Sequence, residues 1–313
     1  MRAAVLHAYG ADPQVGDFDD PVAAEGHAVV DVRAAALNPI DLRAASGTLE
    51  ALRRPLPHVV GSEGIGDLDG RRVYFDRSPA PFGAAAERTL VDPAAVVDVP
   101  DGVEDGLAVC FGIAGLAAWL ALERRAELRA GERVLVLGAS GVVGMIGVQV
   151  ARLLGAGRVI AAARSQAGLD RAQELGADAC VRLDSGGATL TAQLRDAAGG
   201  DIDVVLDPLW GAPAAAALEA MGFRGRLVQL GQSAGAVATF PSAAVRFGEL
   251  SILGHTNFAA PPEVKRSALE RMFAHAAAGE LVADYEELPL ASAGEAWRRQ
   301  AAGPGTKLVL LPR

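Results

Sequence analysis

The chain has 313 residues, 51% of them hydrophobic, and a formal net charge of −9. This length allows two domains, and the acidic balance disfavours nonspecific binding to nucleic acid. The two cysteines, Cys110 and Cys180, form no CxxC pair, which excludes a four-cysteine zinc lobe and argues against a disulfide framework. The residues after Met1 resemble a strand rather than a leader, and the apolar runs are shorter than a membrane span. We therefore expect a cytoplasmic protein without a membrane partner.

Residues 1 to about 110 predict a mainly β domain. Apolar segments are separated here by Gly, Pro and Asp turns and do not alternate with helical patterns. Residues 38–45 are predicted to form at least one helical turn in a loop, and residues 103–122 a helix. The predicted strands are Met1–His7, Ala28–Ala36, Arg71–Tyr74, Glu87–Val91 and Ala94–Val97.

The chain from Arg133 onward predicts alternating strands and helices. The six predicted strands are Arg133–Leu137, Val159–Ala163, Cys180–Leu183, Val204–Asp207, Arg226–Leu230 and Leu250–Leu253. This alternation is typical of an α/β, doubly wound parallel sheet. A last strand, Lys307–Leu311, is expected to return to the first domain. The predicted organisation is a six-stranded Rossmann domain, 114–253, inserted into a mainly β catalytic domain made of 1–113 and 254–313.

A glycine-rich turn follows the first of these six strands. The residues predicted to contact a dinucleotide here are Ala139, Ser140, Gly141, Val142, Val143 and Gly144. A side chain at Gly141 would keep the pyrophosphate away from the N–H groups at the helix start, and Gly144 lets the helix press on the strand. Strand, turn, helix and second strand are all present, which makes the motif more specific than an isolated glycine turn.

The end of the second strand predicts which dinucleotide binds. NAD sites usually carry an acid there to bond the ribose 2′-hydroxyl, and this strand is followed by Arg164 and Ser165 instead. A guanidinium and a hydroxyl suit a 2′-phosphate, which favours NADP(H). The alternative is that Arg164 is only a solvated side chain at a strand end.

Eight short motifs occur in an order that resembles the medium-chain dehydrogenase/reductase superfamily. The chain is most similar to its zinc-free quinone oxidoreductase and enoyl reductase branch, in which a Rossmann domain is inserted into a GroES-like β domain. The matching stretches are 38–41, 61–66, 83–87, 115–119, 131–136, 204–207, 225–228 and 305–309.

The resemblance implies hydride transfer without zinc. The places of the zinc ligands of the alcohol dehydrogenases hold Asn38, Ser62 and a residue near Ile113, none of which replaces a thiolate or imidazole. Without that Lewis acid, the expected acceptor is a quinone or the β-carbon of an α,β-unsaturated carbonyl, and the hydride donor is NADPH.

The resemblance also implies the candidate site residues. Asn38 and Asp41 are the candidate catalytic residues, with capping of the loop as the favoured role of Asp41. Further cofactor contacts are implied for Leu230, Gly231, Gln232 and Lys307.

Departures from the family pattern leave a second function open. Arg43 stands where a tyrosine often faces the site, and Ala117 stands where a threonine is usual. No proton donor is evident, since Tyr74, His58 and His255 are equally explained by packing or solvation. The alternative is a cofactor-binding protein with little turnover, as in zeta-crystallin.

An apolar stretch predicts self-association. The stretch 245–253 includes the apolar strand Leu250–Leu253, which is expected at the edge of the Rossmann sheet, and such an edge is a liability unless it is covered or paired. Relatives pair this edge across a two-fold axis, so the resemblance implies a homodimer.

Overall fold

The computed structural model describes residues 1–312. The chain forms two compact units: the first contains residues 1–113 and the chain from Pro262 onward, and the second contains residues 114–261. The second boundary was predicted between 253 and 254 and lies between 261 and 262. The last strand of the second unit is therefore followed by a short segment, including the turn Asn257–Ala259, that still belongs to that unit.

Strands and helices are numbered in chain order. The strands are β1 Arg2–Leu6, β2 Gln14–Asp17, β3 Ala28–Ala36, β4 His58–Val59, β5 Glu63–Leu68, β6 Arg71–Asp76, β7 Arg88–Val91, β8 Val97–Asp98, β9 Arg133–Leu137, β10 Arg158–Ala163, β11 Ala179–Arg182, β12 Ile202–Asp207, β13 Met221–Gln229, β14 Ser251–Gly254, β15 Tyr285–Pro289 and β16 Lys307–Leu311. The α-helices are α1 Pro39–Ala45, α2 Asp105–Cys110, α3 Leu116–Leu120, α4 Val142–Leu153, α5 Gln166–Glu174, α6 Gly187–Ala198, α7 Gly211–Ala220, α8 Ser242–Gly248, α9 Pro262–Ala277 and α10 Ala293–Ala302.

The first unit is mainly β, as predicted. Its larger sheet has the order β15-β16-β3-β5-β6-β8, with β7 paired to β3, and a smaller sheet has the order β2-β1-β4. Strand β16 returns to this unit and pairs antiparallel with β3, which confirms the expected return. Its parallel partner β15 was not predicted. The core contains Leu6, Phe75 and Trp297, which are all buried.

The second unit is a doubly wound parallel sheet, which confirms the predicted fold class. The strand order is β11-β10-β9-β12-β13-β14, so the direction of winding reverses between β9 and β12. The apolar run Val134–Leu137 in β9 is fully buried, as expected of a central strand covered on both faces. The carboxyl ends of the six parallel strands lie along one edge, where ligands of this fold class bind.

Two expectations need correction. The predicted strand Ala94–Val97 is mostly a turn, in which the Ala95 N–H donates to the Asp92 carbonyl oxygen, and strand β8 begins only at Val97. Apolar runs shorter than a membrane span were also expected, but the helical stretch Asp105–Arg125 is long and apolar enough to span by length and composition. Of its apolar window, 78% is buried within the structure, which core helices also show.

Candidate cofactor and active sites

The glycine-rich turn of the second unit has the shape of a dinucleotide cradle. Gly138 adopts a left-handed φ of 64°, and Gly141 is the N-cap of α4. A Cβ built on Gly144 would lie 2.3 Å from the Gly138 carbonyl oxygen, so no side chain fits between helix and turn. A Cβ on Gly141 would meet only that same oxygen, at 3.5 Å. Gly144 therefore serves packing, whereas the space beside Gly141 is open at a helix start that favours phosphate.

The residues after β10 have the properties expected for a 2′-phosphate contact. Arg164 is exposed, and its guanidinium makes no hydrogen bond or ion pair with residues 1–312. Ser165 is the N-cap of α5, and its hydroxyl oxygen accepts from the Gly168 N–H at 3.2 Å, which leaves its hydroxyl hydrogen as a donor. A Cβ on Gly168 would lie 2.2 Å from the Cβ of Ser140, so α5 packs directly on the glycine-rich turn.

Other predicted cofactor residues follow β13 at the same sheet edge. The Leu230 N–H donates to the Asp207 carbonyl oxygen at 2.8 Å, and the Gly231 carbonyl oxygen accepts from the Gln229 side chain at 2.6 Å. Gln232 is exposed. The structure thus brings the segment 230–232 to the carboxyl edge of the sheet, where the glycine-rich turn and Arg164 also lie.

Asp207, at the end of β12, is a buried carboxylate that the sequence reasoning did not select. One oxygen accepts from the backbone N–H groups of Leu209 and Trp210, at 2.9 and 2.8 Å. The other oxygen is buried without a partner. Burial raises the pKa of Asp207 to about 6, against the opposing effect of these two hydrogen bonds. The turn it holds includes Trp210 at a φ of 57°, which is unusual for a large side chain.

In the first unit, Asn38 and Asp41 lie at the start of α1. Asn38 is the N-cap, and its backbone N–H donates to Asp41 Oδ2 at 2.8 Å. The Ser62 hydroxyl donates to Asp41 Oδ1 at 2.5 Å. Burial raises the pKa of Asp41 to about 6, opposed by these two hydrogen bonds. Asp41 therefore caps and ties the loop, which is the role that the sequence reasoning favoured for it.

The Asn38 side chain belongs to a buried polar network. Its Nδ2 donates to Glu63 Oε1 at 2.8 Å, and its Oδ1 accepts from Lys307 Nζ at 2.6 Å. Lys307 Nζ also donates to Glu63 Oε1 at 2.9 Å. The Tyr74 hydroxyl and the Ile113 N–H donate to Glu63 Oε2 at 3.1 and 2.5 Å. Glu63 is fully buried, and Asn38 and Lys307 are each 2% exposed.

This network changes the interpretation of Lys307. It was predicted to contact the cofactor, but its buried ammonium group is bonded to Glu63 and Asn38. Sequence reasoning also missed Glu63 and Tyr74 as members of the network. The only available signal was Glu63 in the Gly-Ser-Glu-Gly motif, where an acid inside an apolar strand needs a partner.

The three side chains considered as proton donors are all engaged. The Tyr74 hydroxyl donates to Glu63, and burial raises its pKa well above the ordinary value. The His58 ring bonds the Pro55 carbonyl and the His255 ring bonds Asn257, each at 3.0 Å. Burial lowers the pKa of both histidines. Each has a structural partner, so none stands out as the donor. Arg43, at the tyrosine place, is exposed.

Comparison with known proteins identifies the family. A family model described as zinc-binding dehydrogenase matches residues 142–274. A quinone oxidoreductase from Thermus thermophilus, solved also in complex with NADPH, is 30% identical over 99% of this chain and 100% of that chain, with a TM-score of 0.83. The chain belongs to the zinc-free quinone oxidoreductase branch of the medium-chain dehydrogenase/reductase superfamily. A mycobacterial quinone oxidoreductase, 24% identical with a TM-score of 0.88, has the same fold over the full length of both chains.

Other relatives differ in size and description. A phenolphthiocerol/phthiocerol polyketide synthase of Mycobacterium tuberculosis is 31% identical over 301 residues, which are 90% of this chain. The chain spans only 13% of the length of that relative. The quinone oxidoreductase-like protein 2 of mouse is 29% identical over 72% of this chain and 66% of its own.

The zinc-ligand places of the superfamily lie outside the segment matched by the family model. Asn38 bonds Glu63 and Lys307, the Ser62 hydroxyl bonds Asp41, and the Ile113 N–H bonds Glu63. Among residues 1–312, no group of three or more His, Cys, Asp or Glu side chains is placed to hold a metal ion. Asn38 and Ser62 therefore place hydrogen-bonding side chains at two of these places, Ile113 contributes its backbone N–H, and the cation of the network is the Lys307 ammonium group.

Proposed function

We propose that this protein is an NADPH-dependent oxidoreductase that transfers hydride to an electron-poor acceptor, either a quinone or the β-carbon of an α,β-unsaturated carbonyl. The observation that carries the proposal is the end of β10, where Arg164 is free and no acid is present. A guanidinium fork at this place suits a 2′-phosphate, and an acid would repel one. The NADPH complex of the similar Thermus thermophilus enzyme supports the same cofactor.

The residues of the second unit fit this cofactor. The open space beside Gly141 admits a pyrophosphate to the N–H groups at the start of α4, where the helix dipole favours negative charge. We assign the 2′-phosphate contact to Arg164 and Ser165, because Arg164 is exposed and the Ser165 hydroxyl keeps its hydrogen as a donor. When bound, the cofactor supplies the hydride, and the protein binds and orients it.

The side chains at the zinc-ligand places support a conjugated compound as the hydride acceptor. Asn38 and Ser62 are poor zinc ligands, so an alkoxide has no metal to stabilise it there. A conjugated acceptor spreads the incoming charge itself and needs only orientation, hydrogen bonds and a proton. Both the quinone oxidoreductases and the polyketide synthases among the relatives are compatible with such acceptors.

NADPH oxidation measured with a panel of quinones and enones tests the proposal. We expect turnover with at least one acceptor, tighter binding of NADPH than of NADH, and the same rate after treatment with a chelator. A protein that binds NADPH but turns over no acceptor in the panel would contradict the proposal and support the cofactor-binding alternative. A rate that falls with the chelator and returns with zinc would contradict its metal-free chemistry.

A further inference from the structure

We propose that Glu63 and Lys307 are positioning residues, which hold the Asn38 carboxamide in a single orientation and leave one of its N–H bonds for the carbonyl of an acceptor or cofactor. This inference rests on the proposed function, because it assigns a role in hydride transfer to Asn38. It concerns only the buried network of the first unit, in which the three side chains are in direct contact.

The first step of the argument is that the two partners have opposite demands. An ammonium group only donates hydrogen bonds and a carboxylate only accepts them. Lys307 therefore requires the carbonyl oxygen of Asn38, at 2.6 Å, and Glu63 requires its NH₂ group, at 2.8 Å. A flipped carboxamide would place NH₂ against the ammonium and oxygen against the carboxylate. Both contacts would be repulsive in a buried setting, so one orientation is enforced.

The second step is that both partners are themselves fixed. Glu63 Oε2 accepts from the Tyr74 hydroxyl and the Ile113 N–H, so the carboxylate is held from β6 and from the backbone after α2. A Cβ on Gly112 would lie 2.0 Å from Glu63 Oε2, which shows how closely the backbone approaches. Lys307 is the first residue of β16, a strand paired on both sides. Rigid elements therefore carry the two groups that orient Asn38.

The third step is that the Asn38 main chain is fixed independently. Its N–H is held by Asp41, and Asp41 is held in turn by Ser62. With main chain and carboxamide both constrained, the second Nδ2 hydrogen has a defined direction. It has no acceptor among residues 1–312. A pre-oriented N–H without a protein partner is the type of donor that stabilises charge developing on a carbonyl oxygen.

Nuclear magnetic resonance tests the orientation without requiring turnover. Asparagine occurs twice in the sequence, as Asn38 and Asn257, so labelling asparagine carboxamides with ¹⁵N gives two NH₂ groups. We expect the two Asn38 hydrogens to be well separated and to exchange slowly in the wild type. In the Lys307→Met and Glu63→Gln variants, the chemical shifts of the two Asn38 hydrogens should converge, or the two hydrogens should exchange faster. The signals of the Asn257 group should stay unchanged. Unchanged Asn38 signals in both variants would overturn the inference.

Kinetics test whether the orientation matters for hydride transfer. Loss of a charge-assisted hydrogen bond predicts a kcat about 10- to 100-fold lower for Lys307→Met, with little change in KM for NADPH. Because Lys307 acts through Asn38, Lys307→Met should cost nothing further in kcat when Asn38 is already alanine. Equal losses in the two backgrounds would show a merely structural role and overturn the proposal.

Lys265→Met is the matched control variant. Lys265 pairs with Asp76 at 2.8 Å in the same unit and is also largely buried, but it does not bond Asn38. We expect the kcat and the Asn38 signals of this variant to match those of the wild type. If Lys265→Met lost as much as Lys307→Met, the loss of any buried ion pair would have this effect, and the proposal would be overturned. Absence of wild-type turnover with every acceptor would overturn the proposed function instead, and the resonance result would then decide the orientation alone.

Discussion

At Asp207, burial rather than an ion pair sets the proton affinity of the carboxyl group. Its folded pKa is about 6, above the ordinary 3.8, so between these values the folded state binds more protons than the unfolded state. Stability is therefore highest below the unfolded pKa and falls as the pH rises through the folded one. The shift corresponds to about 3 kcal/mol. Between pH 3.8 and about 6 we therefore expect the free energy of unfolding to fall by about 3 kcal/mol more in the wild type than in Asp207→Asn.

Denaturant unfolding of the wild type and the Asp207→Asn variant across that pH range makes the measurement. Asp41 has a pKa raised in the same direction, but it is present in both proteins, so the difference between them isolates Asp207. The asparagine keeps an oxygen for the Leu209 and Trp210 N–H groups. Parallel pH curves for the two proteins would contradict the assignment.

Arg164 is the residue on which we expect cofactor choice to depend most directly. Removing its guanidinium in Arg164→Ala should cost about 1.5–3 kcal/mol of NADPH binding, the value of a hydrogen bond to a charged group. NADH lacks the 2′-phosphate, so its dissociation constant should not change. Arg195→Ala, on the exposed side of α6, is the control and should change neither constant. Titration of each cofactor by fluorescence gives both dissociation constants for the wild type and the two variants, and an equal loss for NADH would contradict a 2′-phosphate contact.

At the scale of elements, helix α4 depends on two glycines for different reasons. In Gly141→Ala the new methyl group meets only a carbonyl oxygen at 3.5 Å, so the thermal midpoint should stay unchanged while NADPH binding weakens. In Gly144→Ala the new Cβ would lie 2.3 Å from the Gly138 oxygen, so helix and turn must separate. We expect both the midpoint and NADPH affinity to fall in that variant. Normal NADPH affinity in Gly141→Ala would argue against pyrophosphate binding at this helix start.

At the scale of the whole molecule, the edge of the Rossmann sheet is expected to make the protein a homodimer. Strand β14 ends the sheet, and Ile252 on it is 38% exposed. An open edge with an apolar side chain is usually covered or paired, and two copies of the same edge pair across a two-fold axis.

Light scattering at micromolar concentration measures this assembly. We expect a dimer for the wild type and a monomer for Ile252→Lys, because a charge on the edge disfavours pairing. Val22→Lys is the control, since Val22 is 78% exposed in the other unit. A wild-type monomer, or a dimer that survives Ile252→Lys, would contradict an interface at this edge.

The sequence by itself determined the architecture and the cofactor turn. Runs such as Val134–Leu137 suit strands buried on both faces, and the glycine-rich turn was specific because a strand, a helix and a second strand accompany it. Capping of the loop by Asp41 also followed from its position, because it depends on a residue only three places away. Helix α10 was missed, because only three of its ten residues are buried and two of these are alanines, which give a weak hydrophobic signal.

The tertiary structure alone decided the polar network and the hydrogen-bond partners of Lys307. Asn38, Glu63 and Lys307 come from a helix start and two strands, and Lys307 is separated from Asn38 by 269 positions. No local pattern shows which buried donor meets which buried acceptor, because that depends on the pairing of β16 with β3 and of β3 with β5. The unpartnered oxygen of Asp207 is equally a product of packing. Local sequence determines where a chain turns and which face it buries, whereas contacts between distant charged groups exist only once the sheet has formed.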